Sequence, residues 1–342
     1  MEKIAFLLPE TGQPVYWRAI LLVMGVLCAV FSLLAARLWQ KRSVLPVLFL
    51  TPFAAAAAVY CGRLVHWYCC FEDYESLAAA MRRLDQGEFS LIGCIAAVLA
   101  VFLLARAVRL IRDLPALLDD AAFAACLGIG VGRMAELFSV ADHGKLLITE
   151  AALQRLPVAA PVINTVSDQV EWRFATFAFQ SLAAAAIWLI LLAAALVRRR
   201  NKGAGERSGT SFGLFLTLYS LSQILLDSTR YDALFLRSNG FVSMEQIVCL
   251  VTMVVVMTVY TVRCVKAHRR PWRWILCWLV FLGGFGLVGY MEYFIQRHGD
   301  RFLFSYGLMS LGLLIVFLAM RVMAHARRPD EGPGETDIPI EQ

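Results

Sequence analysis

Long apolar runs recur along the chain with short polar breaks between them. They lie near residues 17–38, 44–68, 88–107, 114–138, 173–197, 211–227, 242–262, 273–294 and 302–321. Each is close to the roughly 20 residues that a helix needs to cross a bilayer, and none keeps the period-two alternation of a barrel strand. In hydrocarbon every amide must be paired within its own segment, so the runs are predicted as helices. The expected fold class is an all-α polytopic membrane bundle of about nine transmembrane helices.

The polar breaks fall into two alternating kinds. One is short and basic: Arg37, Lys41 and Arg42; Arg106, Arg109 and Arg112; Arg198, Arg199, Arg200, Lys202 and Arg207; Arg263, Lys266, Arg269, Arg270 and Arg273. The other is mixed or acidic, with Glu72, Asp73 and Glu75, or Asp168 and Glu171. Basic loops stay cytoplasmic, so the N-terminus is expected outside and the C-terminus inside, as an odd number of spans requires. Trp17, Trp39, Trp67, Trp172 and Trp272 fall at predicted span ends, where indole favours the headgroup layer. The first run is long and follows no basic segment, which predicts no cleaved signal peptide. The stretch 326–342, rich in Pro, Gly and acidic residues, reads as a disordered cytoplasmic tail.

Composition narrows the class further. With 60% hydrophobic and 17% charged residues and a mean hydropathy of +0.66, the chain cannot be an ordinary water-soluble enzyme, a disordered chain or a disulfide scaffold. The formal charge of +6 sits mainly in the basic loops and sets orientation, so nucleic acid is not an expected partner. Of the nine cysteines, Cys28, Cys94, Cys126, Cys249 and Cys277 lie within runs and read as small apolar residues. No CxxC or HExxH spacing is present, and neither a metal nor another cofactor is expected.

Ionisable groups inside such runs are costly and mark candidate sites. In the orientation just derived, Arg63 and His66, then Arg133 and Glu136, then Tyr219, Gln223, Asp227 and Arg230 reach the outer ends of three outward-running spans. Glu88 and Ser90, Glu171, Arg173 and Gln180, and Glu245 and Gln246 open three inward-running ones. Asp119 and Asp120 are the inner exception and suit the dipole at a helix N-terminus. Gly128, Gly130 and Gly132 clear side chains ahead of Arg133, either for a neighbouring helix or for a ligand. Arg133 itself suits a lipid phosphate through paired N–H donors, or a salt bridge to Glu136 or Asp227.

These segments resemble, in order, those of the prolipoprotein diacylglyceryl transferase family over roughly residues 15–265. Cys61-Gly62-Arg63-Leu64 resembles that family's Gly-Gly-Arg segment. Leu127 through Met134 resembles its signature, in which glycines precede an essential arginine. Phe212 through Tyr219, with Asp227 and Arg230-Tyr231-Asp232, is similar to its sixth helix, and Ser243-Met244-Glu245-Gln246-Ile247 to its Ser-Met-Gly-Gln-Ile pattern. Against that pattern Leu91 takes the place of a His or Tyr, Glu136 that of an asparagine and Gln223 that of a second arginine. The fifth-helix stretch His-Pro-Ser-Gln-Leu-Tyr-Glu is reduced to Phe174 through Gln180, and two spans are added.

The resemblance implies transfer of a diacylglyceryl group from phosphatidylglycerol to the lipobox cysteine of bacterial preprolipoproteins, at the outer leaflet of the cytoplasmic membrane. The expected partners are phosphatidylglycerol, preprolipoprotein signal peptides and the bilayer, with the chain a monomer. The candidate catalytic residues are His66, Glu136 and Asp227. The candidate substrate-binding residues are Arg133 as the phosphate clamp, Arg63 or Arg230 as the second cation, and Gly132, Gln223 and Tyr219. The expected organisation is a seven-helix core over 1–265 with outer loops at 69–88 and 139–172, two added helices over 266–325, and the tail over 326–342. Two other functions stay open: an inactive relative that binds phosphatidylglycerol or lipobox peptides, and a small-molecule or lipid transporter. The transporter reading lacks an inverted repeat and a polar path at the midplane.

Overall fold

A computed structural model describes residues 4–7, 12, 14–82, 89–138, 143–163, 169–200, 208–236, 239–267, 272–298 and 301–325. Glu88, Asp142, Asp168, Lys202, Arg207, Arg269, Arg270 and the tail over 326–342 therefore lie outside the described residues. The helices are α1 (Trp17–Trp39), α2 (Leu45–Cys69), α3 (Leu77–Arg82), α4 (Leu91–Ala107), α5 (Leu114–Arg133), α6 (Ala151–Gln154), α7 (Thr176–Arg200), α8 (Thr210–Ser228), α9 (Met244–Ala267), α10 (Trp272–His298) and α11 (Phe302–His325). Three antiparallel hairpins join them: β1 (Ile4–Leu7) with β2 (Pro14–Tyr16), β3 (Ala159–Ile163) with β4 (Val170–Phe174), and β5 (Phe235–Leu236) with β6 (Asn239–Ser243).

Every predicted apolar run is a helix. Seven of the described helices are long and apolar enough to cross a membrane, as in a multi-pass membrane protein. At 17 residues α4 is shorter, and α8 is not among the seven. The polar residues of α8 explain its lower hydropathy, and they face inward: Ser211, Thr217, Tyr219, Ser220, Gln223, Asp227 and Ser228 are all buried. Exposed apolar side chains such as Phe31, Leu103, Leu182 and Leu189 cover helices whose outer surface suits lipid rather than water.

The chain divides into two units, Met1–Leu250 and Val251–Gln342. In the first, glycines allow close helix approaches. A Cβ on Gly25 of α1 would stand 2.9 Å from the Gly128 carbonyl oxygen and 3.0 Å from the Gly132 nitrogen of α5. Likewise a Cβ on Gly93 of α4 would stand 2.6 Å from the Cys61 carbonyl oxygen of α2. Such approaches let backbones pack where side chains would hold them apart. Apolar packing completes the unit: Leu33, Val47, Leu50, Phe102 and Leu117 form one cluster, and Cys126, Ile129, Ile187, Leu191 and Phe215 another.

The acidic pair at the start of α5 serves its neighbours rather than its own helix. Asp113 caps α5, accepting from the Ala116 amide at 3.1 Å. Asp119 instead accepts from the Gly209 and Phe212 amides at 2.6 and 2.8 Å and so caps α8 from outside, where the Gly209 cap has no side chain. Asp120, 1% exposed, takes Gln40 and lies 3.6 Å from both Arg37 and Arg42, which ties the end of α1 to α5.

The long connection after α5 is ordered where described. Residues 143–148 run beside β4, with Gly144 N–H donating to Phe174 at 2.7 Å and Ile148 N–H to Trp172 at 2.7 Å. On their other side, Lys145 N–H donates to Thr229 at 2.7 Å and Tyr231 N–H to His143 at 2.8 Å. The segment that follows α8, which carries Arg230, is thereby stitched into a small sheet. In the second unit α10 and α11 cross where a Cβ on Gly284 would stand 3.0 Å from the Gly312 carbonyl oxygen. Phe281, Met309 and Val316 are fully buried there, and Trp278 donates to Thr261 at 3.0 Å.

Candidate functional site

Within the first unit, helix ends that are far apart in sequence meet at one small cavity of about 50 Å³. Its wall comprises Arg18 from α1, His66 from α2, Phe89 through Ile92 at the start of α4, and Arg133 and Glu136 from the end of α5. Arg230 and Leu234 follow α8, and Met244 and Glu245 open α9. Seven of these twelve lining residues are polar or charged, which suits a polar headgroup fragment such as a phosphate.

Local structure fixes each charge. The α-helical part of α5 ends at Arg133 and tightens into a 3₁₀ turn over Met134–Phe138. Each of the two residues also reaches a distant helix. Glu136 turns to Arg18, whose Nη2 lies 3.2 Å from its Oε2, and Arg133 Nη2 donates to Glu245 Oε1 at 3.3 Å. Arg230 reaches Asp227 at 3.1 Å, Glu245 at 3.4 Å and Asp232 at 3.5 Å. Glu245 therefore bridges Arg133 and Arg230.

A capping box sets that bridge. The Gln246 amide donates to Ser243 Oγ at 3.1 Å, and the Ser243 amide donates to Gln246 Oε1 at 3.1 Å, which fixes the first turn of α9. Ser243 also donates its hydroxyl proton to Asp227, so one serine ties the α9 cap to the carboxylate behind Arg230. Arg133, Glu136, Arg230 and Glu245 are each between 7% and 8% exposed, where charges interact strongly and must be paired.

Of the residues predicted from sequence, His66, Glu136, Arg133 and Arg230 line the cavity. Asp227 backs Arg230 from a fully buried position. Gln223 is joined to Gln180 of α7 at 3.1 Å, and Tyr219 stacks on Phe215 beside the Arg133 guanidinium. Arg63 is outside the lining. Its Nε donates to the Ala80 carbonyl at 3.0 Å, and its guanidinium lies 4.9 Å from the Tyr74 ring centroid and 5.7 Å from that of Phe89. Since the Tyr74 hydroxyl is 3.2 Å from His66 Nδ1, Arg63 braces the wall from behind.

The three glycines before Arg133 separate in role. Gly128 faces Ala29 of α1, where a new Cβ would stand 2.8 Å from the alanine Cβ. Gly130 packs on α7, with Ser181 Oγ donating to its carbonyl at 2.6 Å. A Cβ on Gly132 meets nothing within 4 Å. Gly132→Ala is therefore expected to leave thermal stability in detergent unchanged or slightly raised, whereas Gly128→Ala lowers it by about 1–3 kcal/mol. A loss of stability in the first variant would contradict this assignment.

Sequence reasoning did not mark Arg18 as a site residue, and it marked Glu245 among the outer polar groups without giving it a role. Arg18 was visible as the cation at the start of the first apolar run, at the same predicted end as Arg133. Glu245 was visible as a carboxylate where the resembling segment carries glycine.

A family model described as prolipoprotein diacylglyceryl transferase matches residues 3–262. A protein of Enterococcus faecalis named phosphatidylglycerol–prolipoprotein diacylglyceryl transferase is 27% identical over 274 residues, covering 79% of this chain and 92% of that protein.

Proposed function

Since the chain belongs to the prolipoprotein diacylglyceryl transferase family, a family of membrane transferases, we propose that it moves a diacylglyceryl group from phosphatidylglycerol to the lipobox cysteine thiol of preprolipoproteins. The site faces the outer leaflet of the bacterial cytoplasmic membrane in this reading, with nine spans, the N-terminus outside and the chain a monomer. Residues 1–265 form the transferase core and 266–325 an added pair of helices.

The observation that carries this reading is the convergence of Arg18, Arg133 and Arg230 on one small polar cavity beside His66. Arg133 and Arg230 hold the phosphate of the donor and draw charge toward it as the glycerol C–O bond breaks. The incoming thiol must become a thiolate, because the thiolate is the nucleophile. In the tautomer that donates Nδ1–H to Tyr74, His66 keeps a lone pair on Nε2 for that proton. The sulfur then bonds to the glycerol carbon and glycerol 1-phosphate leaves. Glu136 holds Arg18 at the wall, and Asp227 positions Arg230 without touching the reacting atoms. His66→Gln is expected to slow transfer about a hundredfold with phosphatidylglycerol binding unchanged, as read by single-turnover labelling and lipid binding in parallel.

Leu91 in the wall cannot exchange a proton, and Gln223 is neutral, which favours as second reading a relative that binds phosphatidylglycerol or lipobox peptides without turnover. Expression in a bacterium depleted of its own diacylglyceryl transferase separates the two. The transferase reading expects lipoprotein mass to rise by one diacylglyceryl group. Unmodified lipoprotein at normal expression would leave the binding reading.

A further inference from the structure

The arginines at the cavity already hold a carboxylate. Glu245 reaches Arg133 at 3.3 Å and Arg230 at 3.4 Å through its two different oxygens, the geometry by which a phosphate would bridge two guanidinium groups. Each of the three arginines already meets a carboxylate: Arg18 meets Glu136, Arg133 meets Glu245, and Arg230 meets Asp227. Asp232, more exposed, adds a further negative charge beside Arg230. Adding a phosphodiester monoanion to this set puts excess negative charge on a poorly solvated wall, which is costly unless a carboxylate gives way. Glu245 spans both candidate phosphate-binding arginines. Asp227 is held from behind by Ser243, and Glu136 is engaged by Arg18.

We propose that Glu245 is an internal competitor for the phosphate site: the anionic lipid enters by exchanging with its carboxylate on Arg133 and Arg230, and the return of the carboxylate expels the phosphate product. The proposal rests on the transferase reading for the identity of the lipid. No bond is made or broken in the exchange. Its consequence is a deliberate loss of ground-state affinity. If the clamp is closed on Glu245 for about nine-tenths of the time, apparent affinity falls about tenfold. Product release gains most, because glycerol 1-phosphate is a monoester that carries more charge than the diester it came from and would otherwise hold the arginines longer. The neighbouring α9 cap is built to survive the swing, since the Ser243–Gln246 box fixes the backbone of the first turn without using the Glu245 side chain.

The test compares wild type with Glu245→Gln and Glu245→Ala in nanodiscs. Both variants are expected to bind phosphatidylglycerol about tenfold more tightly than wild type. Both should lower KM and kcat together, and product inhibition by glycerol 1-phosphate should tighten by a similar factor. Inorganic phosphate, run alongside, separates recognition of the bare anion from recognition of the lipid headgroup. Unchanged or weaker lipid binding in both variants, with thermal unfolding showing them folded, overturns the proposal. If the alanine variant does not fold, the near-isosteric glutamine variant decides. Tighter binding in a protein whose wild type shows no transfer keeps the exchange and rejects the transferase reading. Failure of wild type to prefer phosphatidylglycerol over phosphatidylcholine rejects both.

Discussion

Arg133→Ala is expected to cut diacylglyceryl transfer by about two to three powers of ten while the protein stays folded in the membrane. The rate loss follows from position: the guanidinium lines the cavity at the end of α5, where the proposed mechanism uses it as one side of the phosphate clamp. Retention of the fold follows from its partner. When Arg133 is removed, Glu245 still has Arg230 at 3.4 Å, so no buried carboxylate loses its last cation. Arg230 differs, because Asp227 is buried at 1% exposure and takes its cation from Arg230 at 3.1 Å. Loss of one member of a buried pair costs about 3–5 kcal/mol, so Arg230→Ala is expected to lose stability together with rate. Transfer to a test prolipoprotein, followed by its mass, gives the rate for both variants; detergent melting curves give the stability. A wild-type rate in Arg133→Ala would remove the clamp from the mechanism.

Much of this architecture was legible in the chain itself, because a span announces itself by length and apolarity alone. The runs became helices with ends displaced by a few residues, and α8 could be found although its buried Gln223 and Asp227 depress its hydropathy. The polar residues were legible as a set for a related reason: charges in apolar helices are few, so their gathering at alternate helix ends stands out. The Asp227–Arg230 pair was legible from its spacing, but the pairings between segments were not. Three-residue spacing puts Arg133 and Glu136 near one face, but nothing local announces that Glu136, in the 3₁₀ turn after Arg133, meets Arg18, a contact across 118 residues of chain. Likewise Asp119 looked like an ornament of its own helix, and only the fold shows it capping α8. Arg63 carries the motif resemblance yet lies behind the wall, because Tyr74 and Phe89, from other segments, close over its guanidinium. Contacts between distant segments leave no local periodic signal, and this site is made almost wholly of them.

The crossing of α1 on α5 links stability to the site, and Gly25→Val should expose that link. A Cβ at residue 25 would stand 2.9 Å from the Gly128 carbonyl oxygen, 3.0 Å from the Gly132 nitrogen and 3.2 Å from the Gly132 Cα, all backbone atoms that no rotamer change can move aside. The valine must therefore push α1 away from α5. Overpacking of this kind costs about 3 kcal/mol at the upper end of the usual range. The displaced helix carries Arg18, two turns earlier, together with Trp17, which stacks on Phe138 at 6.1 Å. Separation of the helices lengthens the Arg18–Glu136 contact and opens the cavity on that side. Gly25→Val is thus expected to lower the melting temperature and transfer together, whereas Val26→Leu, on a neighbouring and exposed position, changes neither. The paired variants separate a packing effect at the crossing from a general intolerance of bulk in α1. If Gly25→Val melts as the wild type does, the glycine contact does not hold α1 in place, and the position of Arg18 needs another explanation.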